Sequence, residues 1–263
     1  MWNNSELKIN AKSTLKRFGY WLAFAVTFVN GFFAENLASS GSGSASSSLT
    51  SIFNGEESSS AIPSEWEAVF SDPFFISVFI VGLIFVFVLA IAFGFAMAAF
   101  VSGPVVVGKN KFFMEHRAFG SKFSRLFWAF GCGNYLNIAK TMFLHSLKIF
   151  LWSLLFIIPG IIKSFEYFMV PYILAENPGI DPKRAFELSK KMTDGEKWKI
   201  FLLDLSFIGW VFLGLLTFGI GLYFLQPYYE ATFAELYQVM REKAHGLEFS
   251  DYNELPGFFP EQP

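Results

Sequence analysis

Residues 73–107 read PFFISVFIVGLIFVFVLAIAFGFAMAAFVSGPVVV, thirty-five positions without a charge. A helix needs about 20 mostly apolar residues to cross a bilayer, and this run is long enough to cross with tilt. A second uncharged run, FGYWLAFAVTFVNGFFA at 18–34, lies upstream. Its basic flank and its Ala34 also fit a secretory signal peptide. Its 17 residues exceed the usual apolar core of roughly 7–15, so an uncleaved first span is expected.

Two further apolar runs are broken by single charges. Thr141 to Glu176 contains Lys148, Lys163 and Glu166, with His145 nearby; Ile200 to Met240 contains Asp204, Glu230 and Glu235. Each is too long for one span of about 20 residues and right for two. Each also has a break near its middle, Pro159-Gly160 in the first and Gly219-Ile-Gly221 in the second. Proline removes a helical hydrogen bond and glycine permits a reversal, so a hairpin is expected at both.

The basic residues decide between hairpins and single kinked helices. Cytoplasmic segments carry the excess of Lys and Arg. Net charge is only −2, from 20 basic and 22 acidic residues, but the basic ones are strongly sided. Lys8, Lys12, Lys16 and Arg17 precede the first run. Lys109, Lys111, Arg117, Lys122 and Arg125 follow the second. Lys183, Arg184, Lys190, Lys191, Lys197 and Lys199 form a third cluster, and Arg241 and Lys243 a fourth. Residues 35–72 hold six acidic residues, thirteen Ser and no basic residue. An even number of crossings must separate the basic clusters, which kinked single helices would violate. The expectation is an all-α polytopic bundle of about six spans, roughly 18–34, 74–102, 141–159, 160–176, 199–218 and 221–240, with both termini cytoplasmic. The third and fourth are short enough to form a re-entrant pair instead.

The remaining divisions follow. Residues 1–17 form a cytoplasmic amphipathic segment and 35–72 an extracytoplasmic flexible tether, with Trp66 and Phe70 as interface anchors. The membrane domain is 73–243, with inner-face loops 103–140 and 177–198, and 244–263 is a cytoplasmic tail. Asp181-Pro182 starts a helix by capping and Gly195 stops it. On this helix Ala185, Phe186, Ser189 and Met192 share one face, opposite Lys183, Arg184, Lys190 and Lys191, as expected of a helix lying on anionic lipid. Residues 5–17 alternate Leu7, Ile9, Ala11 and Leu15 with basic residues in a similar way. The expected partner is the lipid bilayer, with a protein contact at these basic helices as the further possibility. The charge balance argues against nucleic acid. Oligomeric state is not legible in the sequence.

Ala90, Gly94, Ala98 and Ser102 recur every fourth residue, a small-residue stripe that would let another helix approach. Charges at membrane depth are functional candidates by default, here Lys148, Lys163, Glu166 and Asp204. Lys163 and Glu166, three apart, can pair on one face. Asp204 could meet Lys148 across helices. The alternatives are an ion or proton pathway, or structural pairs and snorkelling side chains. Trp152, Pro159-Gly160, Pro171-Tyr172 and Ala175-Glu176 are echoed by Trp210, Gly219-Ile-Gly221, Pro227-Tyr228 and Ala234-Glu235, which suggests a repeat with interrupted helices. No catalytic or nucleotide-binding motif is present. The single Cys (Cys132) and three separated His argue against a metal or thiol site. No cofactor and no enzymatic activity are expected.

The runs LLFIIPGIIKSFEYFMVPYILAENPGI (154–180), AFELSKKMTDGEKWKIFLLDLSFIGW (185–210) and LLTFGIGLYFLQPYYEATFAELY (215–237) occur in order, with VSGPVVVGKNKFF (101–113) upstream. Together they closely resemble a bacterial integral-membrane family, found mainly in Firmicutes, known as domain of unknown function 975. The resemblance implies a polytopic fold in the cell membrane. It implies no activity. The functional expectation is a non-enzymatic accessory or regulatory membrane protein, or alternatively a small transporter using the intramembrane charges. A topology reporter fused after Asn177 is expected to give a cytoplasmic signal, and an external signal there would overturn the hairpins.

Overall fold

The computed structural model describes residues 2–39 and 72–258, and every regular element among them is helical. The residues 40–71, which hold most of the Ser-rich segment with Trp66 and Phe70, lie outside them.

Helix α1 (Asn4–Phe18) starts where the Asn3 side chain accepts the Ser5 N–H. Gly19, at φ +100°, separates it from α2 (Tyr20–Ser39), so helix continues past residue 34. Helix α3 (Pro73–Met97) is capped by Asp72, whose side chain accepts the Phe74 N–H, with Pro73 in the first turn. It passes through a π segment (Ala98–Ser102) into α4 (Gly103–Ala118). Pro104 has no N–H to offer the carbonyl of Phe100, four residues earlier. The Tyr135 hydroxyl donates to that carbonyl instead, at 2.6 Å.

A 3-10 turn (Phe123–Phe127) and a short α5 (Trp128–Gly131) lead to α6 (Tyr135–Leu155). Then come α7 (Ile157–Glu166), α8 (Val170–Glu176), α9 (Pro182–Thr193), α10 (Lys197–Leu205), α11 (Ile208–Leu216) and α12 (Ile220–Gly246). Among the described residues, four stretches are long and apolar enough to cross a membrane: Pro73–Ala118, Tyr135–Leu155, Ile157–Glu176 and Lys197–Leu216. Tyr20–Asn30 is apolar but shorter.

Both expected reversals are present as packed hairpins. The first turns at Phe156, an extended residue between α6 and α7, and not at Pro159-Gly160. Pro159 sits in the first turn of α7, where a missing N–H costs nothing. Gly160 is where the limbs touch: a Cβ there would stand 2.8 Å from the Ser153 Cα. The second hairpin turns at Thr217–Gly219, with Gly219 left-handed at φ +83°. Pro171 lies in the first turn of α8 and Pro227 within α12.

The core does not lie between the apolar hairpins. It is built from α1, α4, α8, α9 and the second half of α12. The segment 103–140, expected as an inner-face loop, is instead largely helical, and α4 is buried along most of its length. Leu7, Ala11 and Leu15 of α1 pack against α12, while Ile9 is exposed. The face Ala185, Phe186, Ser189, Met192 of α9 is likewise buried within the chain, and its basic face is the one left outward. Its apolar side, expected on lipid, rests on α6, α7, α8 and α12 because those helices offer the larger apolar surface. The tail folds back onto this body: Arg184 grips Glu254 at 2.7 and 2.9 Å, and the Gly257 N–H meets Glu176 at 2.6 Å. The ion pair with Glu254 raises the pKa of the Arg184 guanidinium further.

The apolar elements differ in how much helix lies beyond their mutual contact. Phe95 of α3 meets Phe150 of α6 at 5.0 Å. From Phe150 to the turn at Phe156 the first hairpin rises at most about 9 Å, while from Phe95 back to Pro73 α3 runs on for about 33 Å. Ala90 and Gly94 are exposed on this free stretch, with open space around Gly94; Ala98 and Ser102 are half-buried where the π segment packs on α6 and α2.

Candidate functional site

The ionisable residues gather where the projecting helices enter the body. Helix α4 presents Lys109 and Arg117, and α12 presents Glu230 and Glu235. Lys109 Nζ lies 2.5 Å from Glu230 and Arg117 Nε 2.7 Å from Glu235, with both carboxylates and Lys109 buried. Lys109 and Arg117 are eight residues apart, just over two turns, so they fall on related faces of one helix. Glu230 and Glu235 are five apart and meet them in sequence.

Next to this seam, the Glu176 carboxylate of α8 accepts the Tyr237 hydroxyl at 2.6 Å and faces Arg241 at 3.6 Å. Tyr172 stacks on Tyr237 at 5.4 Å and closes the space between α8 and α12. Glu115 pairs with Arg125 at 2.8 Å and with Lys111 at 3.6 Å. The Lys111 ammonium also lies 4.0 Å from the Trp128 ring, a favourable cation–π distance.

The residues singled out from the sequence divide between two places. Lys163 and Glu166 pair at 2.9 Å, and Glu166 takes a second cation, Lys197, at 3.0 Å. The Glu166 carbonyl accepts the Ser189 hydroxyl at 2.8 Å, tying α7 to α9. Lys148 and Asp204 do not meet. Lys148 sits 3.5 Å from the Phe186 ring and 5.4 Å from Tyr167. Asp204 accepts the Tyr229 hydroxyl at 2.9 Å across the second hairpin. The helices on which Lys148 and Asp204 lie belong to different hairpins, and each finds a nearer partner.

Lys109, Arg117, Glu176 and Lys197 were missed as members of this network because the sequence assigns them to loops or boundaries. A signal existed: Glu230 and Glu235 interrupt an apolar helix and require buried cations. Lys109 and Arg117, interleaved with Val105, Phe112 and Phe113, are the matching set. Among the described residues, no group of three or more His, Cys, Asp and Glu side chains is placed to hold a metal ion. The arrangement binds helix to helix through fixed charge pairs.

These features define a protein whose described residues form only helices, several of them apolar enough for a membrane, with a body knitted by buried ion pairs. The chain belongs to the family described as Protein of unknown function (DUF975), which matches residues 63–244. No curated protein and no solved structure matches it.

Breaking a buried pair leaves an uncompensated charge and costs roughly 3–5 kcal/mol, whereas replacing both partners by apolar groups is often close to neutral. Lys109→Met or Glu230→Met alone is therefore expected to lower the thermal unfolding temperature in detergent sharply. The double substitution is expected to recover most of the loss. Equal losses in singles and double would contradict the pairing.

Proposed function

We propose that the chain is a multi-pass protein of a bacterial cell membrane, non-enzymatic, with an accessory or regulatory role exercised by its inner-face body. In this reading α2 and α3 cross the bilayer. Both hairpins enter from the basic side and end inside the hydrocarbon, the first near half depth or less and the second at about two thirds, so the termini and the basic clusters all lie in the cytoplasm. Zero crossings and two crossings per hairpin satisfy the charge rule equally, because both are even.

The observation that carries this reading is the height of the hairpins. Lys148 and Lys163 lie only eight and seven residues from the turn at Phe156, leaving a charge-free tip of about 10–12 Å. For the second hairpin, Asp204 and Glu230 leave about 18–21 Å to the tip at Phe218. The hydrocarbon core is about 30 Å thick. Both tips are also apolar: Phe218 is 100% exposed, and Leu154, Phe156, Ile157 and Ile158 are largely so. A turn of that composition is suited to hydrocarbon and poorly suited to outside water. Both ends of the chain pack against the same body, α1 on α12 and the tail on Glu176 and Arg184, which fits termini on one side.

In this arrangement the charges Lys148, Lys163, Glu166 and Asp204 sit at headgroup level, which favours an accessory role over a transport path. Six full crossings are the competing topology. In a Cys132→Ser background, Phe156→Cys and Phe218→Cys are expected to resist a membrane-impermeant thiol reagent added outside intact cells, while Ser46→Cys in the outer segment labels. Labelling of both tips from outside would establish six crossings.

The transporter reading is supported by Glu166 lying between two lysines amid apolar helices. Lys163→Gln, Glu166→Gln and Asp204→Asn separate the two roles. Reduced amounts of folded protein, with any phenotype following that amount, are expected. A lost phenotype at normal expression would favour transport.

A further inference from the structure

Lys8, Lys12 and Lys16 recur every fourth residue of α1 and so share one face. Lys8 is engaged: its ammonium donates to the Ser206 hydroxyl at 2.6 Å and lies 4.3 Å from the Phe207 ring. Lys12 and Lys16 have no acidic partner among the described residues. Both line a cleft of about 580 Å³ between the end of α1, the start of α2 and the α11–α12 hairpin.

That volume is in the range of roughly 300–1,000 Å³ common to small-ligand sites. The walls are apolar, formed by Leu15, Leu213, Phe224 and Leu225. Tyr20, also in the wall, has its hydroxyl engaged by the carbonyl of Phe224, one turn before Pro227. This contact pins the start of α2 to α12. Trp210 borders it, an amphipathic ring of the kind that collects at membrane interfaces. The cleft thus combines apolar walls with two lysines that have no acidic partner among the described residues.

We infer that this cleft holds one anionic phospholipid of the inner leaflet, with an acyl chain along Leu213 and Phe224 and its phosphate at Lys12 and Lys16. The charge pattern matches such a molecule at both ends. Apolar walls account for the chain, and two cations one helical turn apart, with no carboxylate partner among the described residues, account for the headgroup. The assignment rests on the reading above, which puts α1 on the cytoplasmic side of the bilayer. A zwitterionic lipid shares the chain but not the net charge, so headgroup preference is the discriminating property.

The test is native mass spectrometry of the full-length protein in a neutral detergent, with phosphatidylglycerol or phosphatidylcholine added. Retention of phosphatidylglycerol is expected to exceed that of phosphatidylcholine roughly tenfold or more, as two lysine–headgroup contacts allow. Lys12→Gln with Lys16→Gln is expected to bring the two lipids level, and Lys12→Arg with Lys16→Arg to keep the preference. Leu213→Trp, which fills the cleft, is expected to reduce retention of both lipids. Lys183→Gln with Lys190→Gln removes the same charge from α9 and is expected to change nothing. Equal retention of the two lipids by the unaltered protein would overturn the inference. So would an unchanged preference in the Lys12/Lys16 glutamine variant, an equal loss in the Lys183/Lys190 variant, or displacement by millimolar inorganic phosphate. Retention in detergent does not depend on topology, so labelled hairpin tips and lost lipid are separable outcomes.

Discussion

Helix α12 has to satisfy two surroundings along 27 residues, and the pairing of its acids with α4 is what makes that possible. Its first turns are apolar, with Ile220, Tyr223 and Phe224 exposed. Its second half carries Glu230 and Glu235 into a buried position, where an unpaired carboxylate would be prohibitively costly. Lys109 and Arg117 remove that cost, and in doing so bring α4 against α12. Helices α1, α9 and α11 then pack against α12, so the body assembles around this contact. The charge pairs set which faces meet, and the apolar burial around Phe112, Phe233 and Leu236 supplies the bulk of the association.

The same contact explains why a continuous run from Pro73 to Ala118 behaves as two different helices. Its first part is apolar and exposed on all sides, as a helix surrounded by hydrocarbon would be. Its last part is buried and carries the cations. The change falls at the π segment and Pro104, where the freed Phe100 carbonyl is taken by Tyr135. A helix can pass through such a defect when a side chain supplies the missing donor. Here the donor comes from the first residue of α6, so the defect also anchors the next helix.

Local features were well read from the sequence. Asp181 and Pro182 begin α9, and the four residues assigned to its apolar face are all buried, because capping and 3.6-residue periodicity are local properties. The pair Lys163–Glu166 was legible for the same reason, being three residues apart on one helix. The hairpins were legible from length and glycine, but the first turn falls at Phe156 because proline is tolerated in the opening turn of a helix. That Lys148 and Asp204 would not meet was not legible. Both could reach a partner of opposite or aromatic character, and which one depends on how two hairpins are set beside each other.

By itself the sequence determined that the described residues are helical, that several helices are apolar enough for a membrane, and that the basic residues are clustered between the apolar runs. Composition and spacing are sufficient for these, since each depends on residues within a few turns. The tertiary structure decided which apolar faces turn inward, where each hairpin turns, and which charges meet. Lys109 and Glu230 are 121 positions apart, and no local pattern links them. Their meeting depends on the relative placement of two helices, which follows from packing the whole body at once.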